Sequence, residues 1–351
     1  MLHVPETRVP RARFPVIDIH THLSWAAARK NGVSVGEEMT YPAPPQVLLP
    51  VMNQKNIRAM VNLAGGIGRG LDETIQRFQV PYPGRFVLFT EPSWERSNGA
   101  DYPQFQADEI ARARKAGAYG LKILKTLGLY LREGVTAGPL VKIDDPRFDP
   151  MWETCGALNM PVGIHVSDPE AFFLPIDRCN ERFEQLNNHP DGRSMIATSP
   201  RTPSSCGRAT MCLRVIRRPR LLRSTWVTML RTWRPSPSVW IAFPTCTSNS
   251  ERASPSLAAS LGMPADFSTS TRIVSCSAPT PYLTAPKRRN KSSAATSTKS
   301  ICQTEDEYFD YAPAPIPPQG RWRIYVLGLP EGILKNVYYE NASRLLGLKE
   351  S

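Results

Sequence analysis

Two histidines separated by one residue stand at the end of an apolar run. They are His20 and His22 in the stretch FPVIDIHTHLSW, residues 14–25. Alternate residues of a β-strand point to the same side of the chain, so both imidazoles can reach one divalent cation at zinc–nitrogen distances of about 2.0–2.1 Å. His165 closes a second apolar run, PVGIH. These positions are candidate imidazole ligands to one metal. The alternatives are one core and one surface histidine for the H-x-H, and a hydrogen-bonded rim histidine for His165.

The sequence around these histidines alternates short apolar strands with helices from residue 14 to about 190. Five predicted strands lie within PVIDIH, RAMVNLAGG, GRFVLFTEP, GLKILK and MPVGIHV. Helices are predicted over residues 101–120 and from Asp149. Such alternation favours an α/β fold with a parallel sheet, and five units match the first part of a (β/α)8 TIM barrel of roughly 250 residues. A doubly wound open sheet is the competing interpretation.

The basic charge of the chain, +12 overall, is confined to one block. Residues 193–302 contain 17 Lys and Arg against two acids, whereas the rest of the chain contains 26 against 29. Ser, Thr and Pro supply 45 of the 110 residues in this block, a composition typical of a disordered basic linker. A linker of that length inside a compact domain is unusual. A genuine, folded block would instead indicate a nucleic-acid-binding module.

The chain contains no run of 18 apolar residues, and its first 15 residues include no apolar stretch of a secretory signal. We therefore expect a cytoplasmic protein without a membrane partner.

Three stretches together resemble the amidohydrolase superfamily, in particular its amidohydrolase-related branch of metal-dependent hydrolases and decarboxylases. VIDIHTH is similar to the H-x-H that ends the first strand, PVGIHVSDP to the histidine that ends the fifth, and VYYENASRLLGL to the C-terminal helix. The similarity covers residues 14–190 and 304–349 of a single predicted domain, which spans residues 14–349.

This resemblance implies a (β/α)8 TIM barrel in which His20, His22 and His165 bind a divalent metal of the zinc class. It implies a small-molecule substrate and no nucleic acid, and it leaves a homo-oligomer open. The leading expectation is hydrolysis of an amide, ester or lactone-type bond. The alternative on the same scaffold is non-oxidative decarboxylation of an aromatic acid.

Three further residues are candidates for the substrate pocket. Lys122 lies near the end of the fourth strand, where some members of the superfamily carry a carbamylated lysine between two metals. Lys125, nearer the rim, could hold a substrate carboxylate, and Trp25 could wall the pocket. Solvated lysines and ordinary packing of the indole are the alternatives. The loop Gly65–Gly70 could hold an anion, although a tight turn is the simpler interpretation.

The resemblance also implies a histidine after strand six and an aspartate, in a Gly-Thr-Asp context, after strand eight. Both belong in residues 193–302, where neither occurs, so the catalytic residues are unknown from this translation. The peptide RSTWVTM, residues 223–229, can be encoded so that a shifted frame reads Phe-Asn-Leu-Gly-His-His. SCSAPT, residues 275–280, gives Val-Phe-Gly-Thr-Asp in the same shifted frame.

Two matches in one frame, together with the abrupt changes of composition, favour a reading-frame error across residues 193–302. The basic charge is then an artefact of translation. Strands six to eight of the barrel would be missing from the chain as written, since this block lacks the apolar period that they need. We therefore expect the chain as written to be inactive and poorly folded.

Overall fold

The computed structural model describes Thr7 and residues 9–165, 170–189, 221–224 and 329–348, with residues 221–224 described in their backbone alone. His3 and the SCSAPT peptide lie outside the described residues. Of the RSTWVTM peptide, Arg223 and Ser224 are described.

Six parallel strands form the main sheet, and two antiparallel strands form a hairpin beside it. The strands in chain order are β1 (Val16–Thr21), β2 (Trp25–Lys30), β3 (Val33–Thr40), β4 (Ile57–Asn62), β5 (Phe86–Thr90), β6 (Gly120–Ile123), β7 (Val162–His165) and β8 (Leu221–Ser224). The main sheet has the order β1-β4-β5-β6-β7-β8, and β2 pairs with β3. The five strands predicted from the sequence are confirmed as neighbours in one parallel sheet.

Helices connect most of these strands, as an α/β fold requires. They are α1 (Pro45–Lys55), α2 (Gly68–Thr74), α3 (Tyr102–Ala116), α4 (Asp149–Ala157), α5 (Phe183–Asn188), α6 (Glu331–Lys335) and α7 (Asn341–Leu346). A turn of π-helix, Asn336–Glu340, joins α6 to α7, so the predicted C-terminal helix is continuous. Gly117 ends α3 with φ near +121°, a conformation that favours glycine. The helices predicted over residues 101–120 and from Asp149 are confirmed.

The apolar side chains divide between two main clusters that hold the sheet between helices. One cluster packs β5, β6 and β7 against α3 and α4, and it includes Leu88, Leu121, Ile123, Val162, Ile164, Ile110 and Met151. The other packs β1, β4 and β5 against α7, and it includes Ile17, Ile19, Val61, Val87, Phe89, Ala342 and Leu345. The C-terminal helix is therefore part of the support of the strand that carries the H-x-H.

Three features differ from the sequence-based expectations. The hairpin β2–β3 was not predicted, because its exposed strand WAAARK has no buried apolar alternation. Strand β8 forms within the block where no strand was expected, and its backbone pairs with β7 from Val162↔Leu221 to His165↔Ser224. The loop expected at Gly65–Gly70 continues into α2, which begins at Gly68.

No helix within the described part of the chain is long and apolar enough to cross a lipid bilayer.

Candidate metal centre

Buried Asn62, the last residue of β4, fixes the chain just after the H-x-H. Its side-chain oxygen accepts hydrogen bonds from the backbone N–H groups of Leu23, at 3.0 Å, and Ala64, at 3.2 Å. Its side-chain nitrogen donates to Ser24 Oγ at 2.8 Å. Because all of these groups are buried, each bond is expensive to lose. Asn62 therefore restrains the segment that directly follows His22.

The two histidines of the H-x-H lie side by side. The ring centroids of His20 and His22 are 5.4 Å apart, with an angle of 64° between the ring planes. The indole of Trp25 stacks on His22 at a centroid distance of 4.6 Å and an angle of 15°. His22 Nδ1 is buried and has no hydrogen-bond partner among the residues that the structure describes. A buried nitrogen without a partner is costly, and a bound cation or a ligand donor would satisfy it.

The surroundings keep both imidazoles neutral. Burial is the main cause that lowers the pKa of His20 and His22, and it brings the pKa of His22 to about 3. The positive charge of Lys122 is the next cause for both, and His165 lowers both as well. A neutral imidazole is the form that binds a metal, so these histidines are ready to bind one at neutral pH.

His165 ends β7 and is half-buried. Its effect on the pKa of His20 and His22 places it within electrostatic range of that pair. No group of three or more His, Cys, Asp or Glu among the described residues is arranged to hold a metal ion. The structure therefore brings His20 and His22 together and puts His165 in the same sheet. The donor types and the unsatisfied Nδ1 fit a divalent cation, but the described residues do not form a closed set of ligands.

Lys122 lies in the sheet beside these histidines and is buried, with 1% of its surface exposed. It pairs in register with Gly163 of β7. A Cβ built on Gly163 would stand 3.4 Å from Lys122 Cδ and 4.0 Å from Lys122 Nζ, so the lysine side chain lies over this glycine. Burial lowers the pKa of Lys122 to about 7, and the charge of Glu91 opposes that shift. The alternative of a solvated lysine is wrong for Lys122.

Glu91 is a site residue that the sequence analysis did not identify. It directly follows β5 and is 6% exposed. Burial raises its pKa to about 7, while the charges of Arg29 and Lys122 lower it. The usable signal was an acid immediately after a strand in which every residue is apolar or Thr, FVLFT.

Arg29 is a second residue that the sequence analysis missed, because it belongs to the unpredicted hairpin. It is exposed, and its guanidinium carbon lies 5.5 Å from the centroid of the Trp25 ring. Its charge also contributes to lowering the pKa of His22. Arg29, Trp25 and His22 therefore follow one another from solvent toward the candidate centre.

Lys125 and the segment Gly65–Gly70 are the remaining predicted features of the site. Lys125 is half-buried, and its Nζ lies 5.5 Å from the centroid of the Phe172 ring, in the turn after β7. The carboxylate of Glu37 accepts a hydrogen bond from the Arg69 backbone N–H at 2.9 Å. A side chain of the protein therefore already occupies one anion-binding position of the Gly-rich segment.

No protein-family model matches the chain, and no curated protein matches it. Among solved structures, the chain is similar to an amidohydrolase II, with 14% identity and a TM-score of 0.30 over 50% of this chain and 64% of that one. It is similar to a probable 2-pyrone-4,6-dicarboxylic acid hydrolase from Acinetobacter baumannii, with 16% identity and a TM-score of 0.28 over 48% of this chain and 55% of that one.

A third similar structure is 2,6-dihydroxybenzoate decarboxylase from Rhizobium, with 16% identity and a TM-score of 0.47 over 96% of this chain and 99% of that one. The first two alignments span less than two thirds of the known chains. All three TM-scores lie below 0.5.

Proposed function

We propose that the protein is a metal-dependent enzyme of the amidohydrolase-related type, built on a (β/α)8 barrel and acting on a small carboxylated molecule. His20, His22 and His165 would hold one divalent cation of the zinc class. The observation that carries this proposal is His22 Nδ1, which is buried without a hydrogen-bond partner in the described part of the chain, beside the neutral ring of His20. A purely structural histidine would normally satisfy that nitrogen.

The cation, when bound, would supply Lewis-acid chemistry that polarises a substrate carbonyl and activates water. The residues of the chain supply the surroundings. Trp25 covers one face of His22 and shields it from solvent. Lys125 lies on the β7 side of the site, over Phe172, where its ammonium would bind a substrate carboxylate. Lys122 is buried among these groups and does not face solvent.

Hydrolysis of an amide, ester or lactone-type bond is the reaction that we propose first, with decarboxylation of an aromatic acid as the second. Both reactions use a polarised carbonyl or carboxylate beside the metal, so the described residues serve either one. The residues expected to separate them, a histidine after strand six and an aspartate after strand eight, belong to residues 193–302.

We further propose that residues 193–302 are translated out of frame. Strand β8 gives the place of a sixth parallel strand, because its backbone pairs with β7 and brings Ser224 opposite His165. The shifted frame begins to read Phe-Asn-Leu-Gly-His-His at codon 223, so its histidines would follow this strand at the rim where His165 stands. A genuine block would favour the basic nucleic-acid-binding module instead.

Two measurements test the proposal in sequence. The DNA across codons 190–305 should contain compensating insertions or deletions near codons 192 and 303. The full-length protein expressed from the sequence-verified gene should bind about one zinc-class ion and lose its turnover when a chelator is added. An intact frame would remove the frame-shift proposal, whereas a corrected protein without bound metal would remove the metalloenzyme proposal.

A further inference from the structure

We propose that Glu91 and Lys122 form a buried charge pair beneath His20, His22 and His165, and that Glu91 is a positioning residue that sets the affinity of these histidines for a divalent cation. The three histidines are called the histidine cluster below. The inference rests on the proposed function for its ligand, a divalent cation, but the pair itself can be tested without any metal.

The first step is the position of Lys122. Its side chain runs across the neighbouring strand, where Gly163 lacks the Cβ that would stand 3.4 Å from Lys122 Cδ and 4.0 Å from Nζ. Gly163 lies two residues before His165 on β7, and residues two apart share a face of a strand. The ammonium group therefore lies on the face that carries His165, one step below it.

The second step is the effect of this ammonium on the histidines. Lys122 is 1% exposed and pairs in register with Gly163, on the strand that ends in His165, so its positive charge lies in a water-poor region beside the histidine rings and opposes a positive charge on them. The same field opposes a divalent cation bound by those rings. An uncompensated Lys122 would therefore work against the metal site that it underlies.

The third step is compensation by Glu91. Glu91 is 6% exposed and directly follows Thr90, which pairs in register with Leu121, so Glu91 and Lys122 are the next residues along two adjacent strands. From that position the charge of Glu91 favours the ammonium form of Lys122. In turn, the charges of Arg29 and Lys122, in that order of size, favour the carboxylate form of Glu91. The backbone holds this residue firmly, because the Glu91 N–H donates to Gly66 O at 3.2 Å and the Thr90 hydroxyl donates to the same oxygen at 3.0 Å.

The balance of charge then gives opposite expectations for the two partners. Glu91→Gln leaves one positive charge beneath the cluster, whereas Lys122→Met leaves one negative charge. The double variant leaves none, as the paired residues do. The sign of the change in metal affinity therefore separates this arrangement from one in which Lys122 is itself a metal ligand.

Zinc affinity is the first test, measured by competition with a chromophoric chelator on full-length protein expressed from the sequence-verified gene. We expect Glu91→Gln to weaken zinc binding about tenfold, Lys122→Met to strengthen it, and the double variant to lie within about threefold of the unchanged protein. The substitutions Glu73→Gln and Lys115→Met are matched controls, because they make the same changes of charge at exposed positions. Unchanged affinity in Glu91→Gln, or weaker binding in Lys122→Met, would overturn the inference.

Thermal unfolding of the same variants in the presence of a chelator is the second test. Removing one partner leaves the other as a buried charge without compensation, which destabilises the fold. Replacing both partners removes this destabilisation. We expect each single variant to melt about 5 °C or more below the unchanged protein and the double variant to recover most of that loss. Additive losses in the double variant would show that no pair exists.

The two tests also separate this inference from the proposed function. An unchanged protein that binds no zinc, with recovery in the double variant, would contradict the metal site and retain the pair. Zinc binding that is insensitive to both charges would retain the metal site and contradict the role of Glu91. If Glu91→Gln does not fold, a folded double variant supports the pair, and an unfolded one contradicts it.

Discussion

The indole of Trp25 lies nearly parallel to the imidazole of His22, with ring centroids 4.6 Å apart and an angle of 15° between the planes. This contact links the exposed hairpin β2–β3 to the candidate metal centre, because Trp25 is the first residue of β2. A ring held in this way loses rotational freedom before any ligand binds, which lowers the cost of binding. The hairpin is therefore a support of the site, although it is a sheet separate from the six parallel strands.

Trp25 should report zinc binding by its fluorescence. A cation bound by His22 changes the charge next to the stacked indole, so zinc should change the emission of the unchanged protein. We expect Trp25→Phe to abolish most of that change. Trp152→Phe is the matched control, because Trp152 lies on α4 and is buried in the core between the sheet and the helices. An equal response in both variants would contradict the contact between the indole and the metal site.

Asn62 should be a stability determinant of the segment after the H-x-H. Asn62→Ala leaves the buried N–H groups of Leu23 and Ala64 without their acceptor, and we expect a loss of about 2–4 kcal/mol in the free energy of unfolding. Zinc affinity should fall with it, since His22 loses its restraint. Gln104→Ala, which removes an exposed amide, should change stability by less than about 0.5 kcal/mol. Chemical denaturation measures both values.

The pH dependence of stability should reveal the buried neutral histidines. The pKa of His22 is about 3 in the folded protein, against 6.5 for a solvated imidazole, so between these values the unfolded chain binds more protons than the folded one. Stability should therefore fall as the pH is lowered from about 6.5 to 4, with up to about 1.4 kcal/mol per pH unit for each such histidine.

The matched comparison is the double variant His20→Asn/His22→Asn, measured in the presence of a chelator. It has no histidine to protonate at these positions, so its stability should depend less steeply on pH over the same range. Parallel curves for the two proteins would show that His20 and His22 are protonated equally in the folded and unfolded states.

The chain as written should give insoluble or protease-sensitive protein without metal-dependent turnover. Among the described strands, β1 pairs with β4 alone, and an open strand edge invites aggregation. Expression of the literal sequence beside the frame-corrected one, with solubility and limited proteolysis as the measurements, checks this expectation. A soluble, cooperatively melting product of the literal sequence with chelator-sensitive activity would show that residues 193–302 are genuine.

The strands that carry His20, His22 and His165 could be predicted because each is a short apolar run that ends in a polar residue, and the helices because proline and glycine mark their ends. The hairpin was not predicted because β2 is mostly exposed. Arg29, which belongs to β2, was missed for that reason. Glu91 was not predicted because a single acidic residue after a strand is common. Its burial beside Lys122 depends on the parallel neighbours β5, β6 and β7, which adjoin in space and not in sequence. The burial of Lys122 could not be predicted for the same reason, since the position of its side chain over Gly163 depends on which strands pair.

Zinc stoichiometry is the measurement that tests the central claim most directly. Full-length protein from the sequence-verified gene, dialysed against zinc and then against buffer, should retain about one equivalent by elemental analysis. His22→Ala should lose that zinc, whereas His189→Ala, which changes a histidine outside the cluster, should retain it. Absence of zinc from the unchanged protein, or equal zinc in His22→Ala, would contradict a metal centre at these histidines.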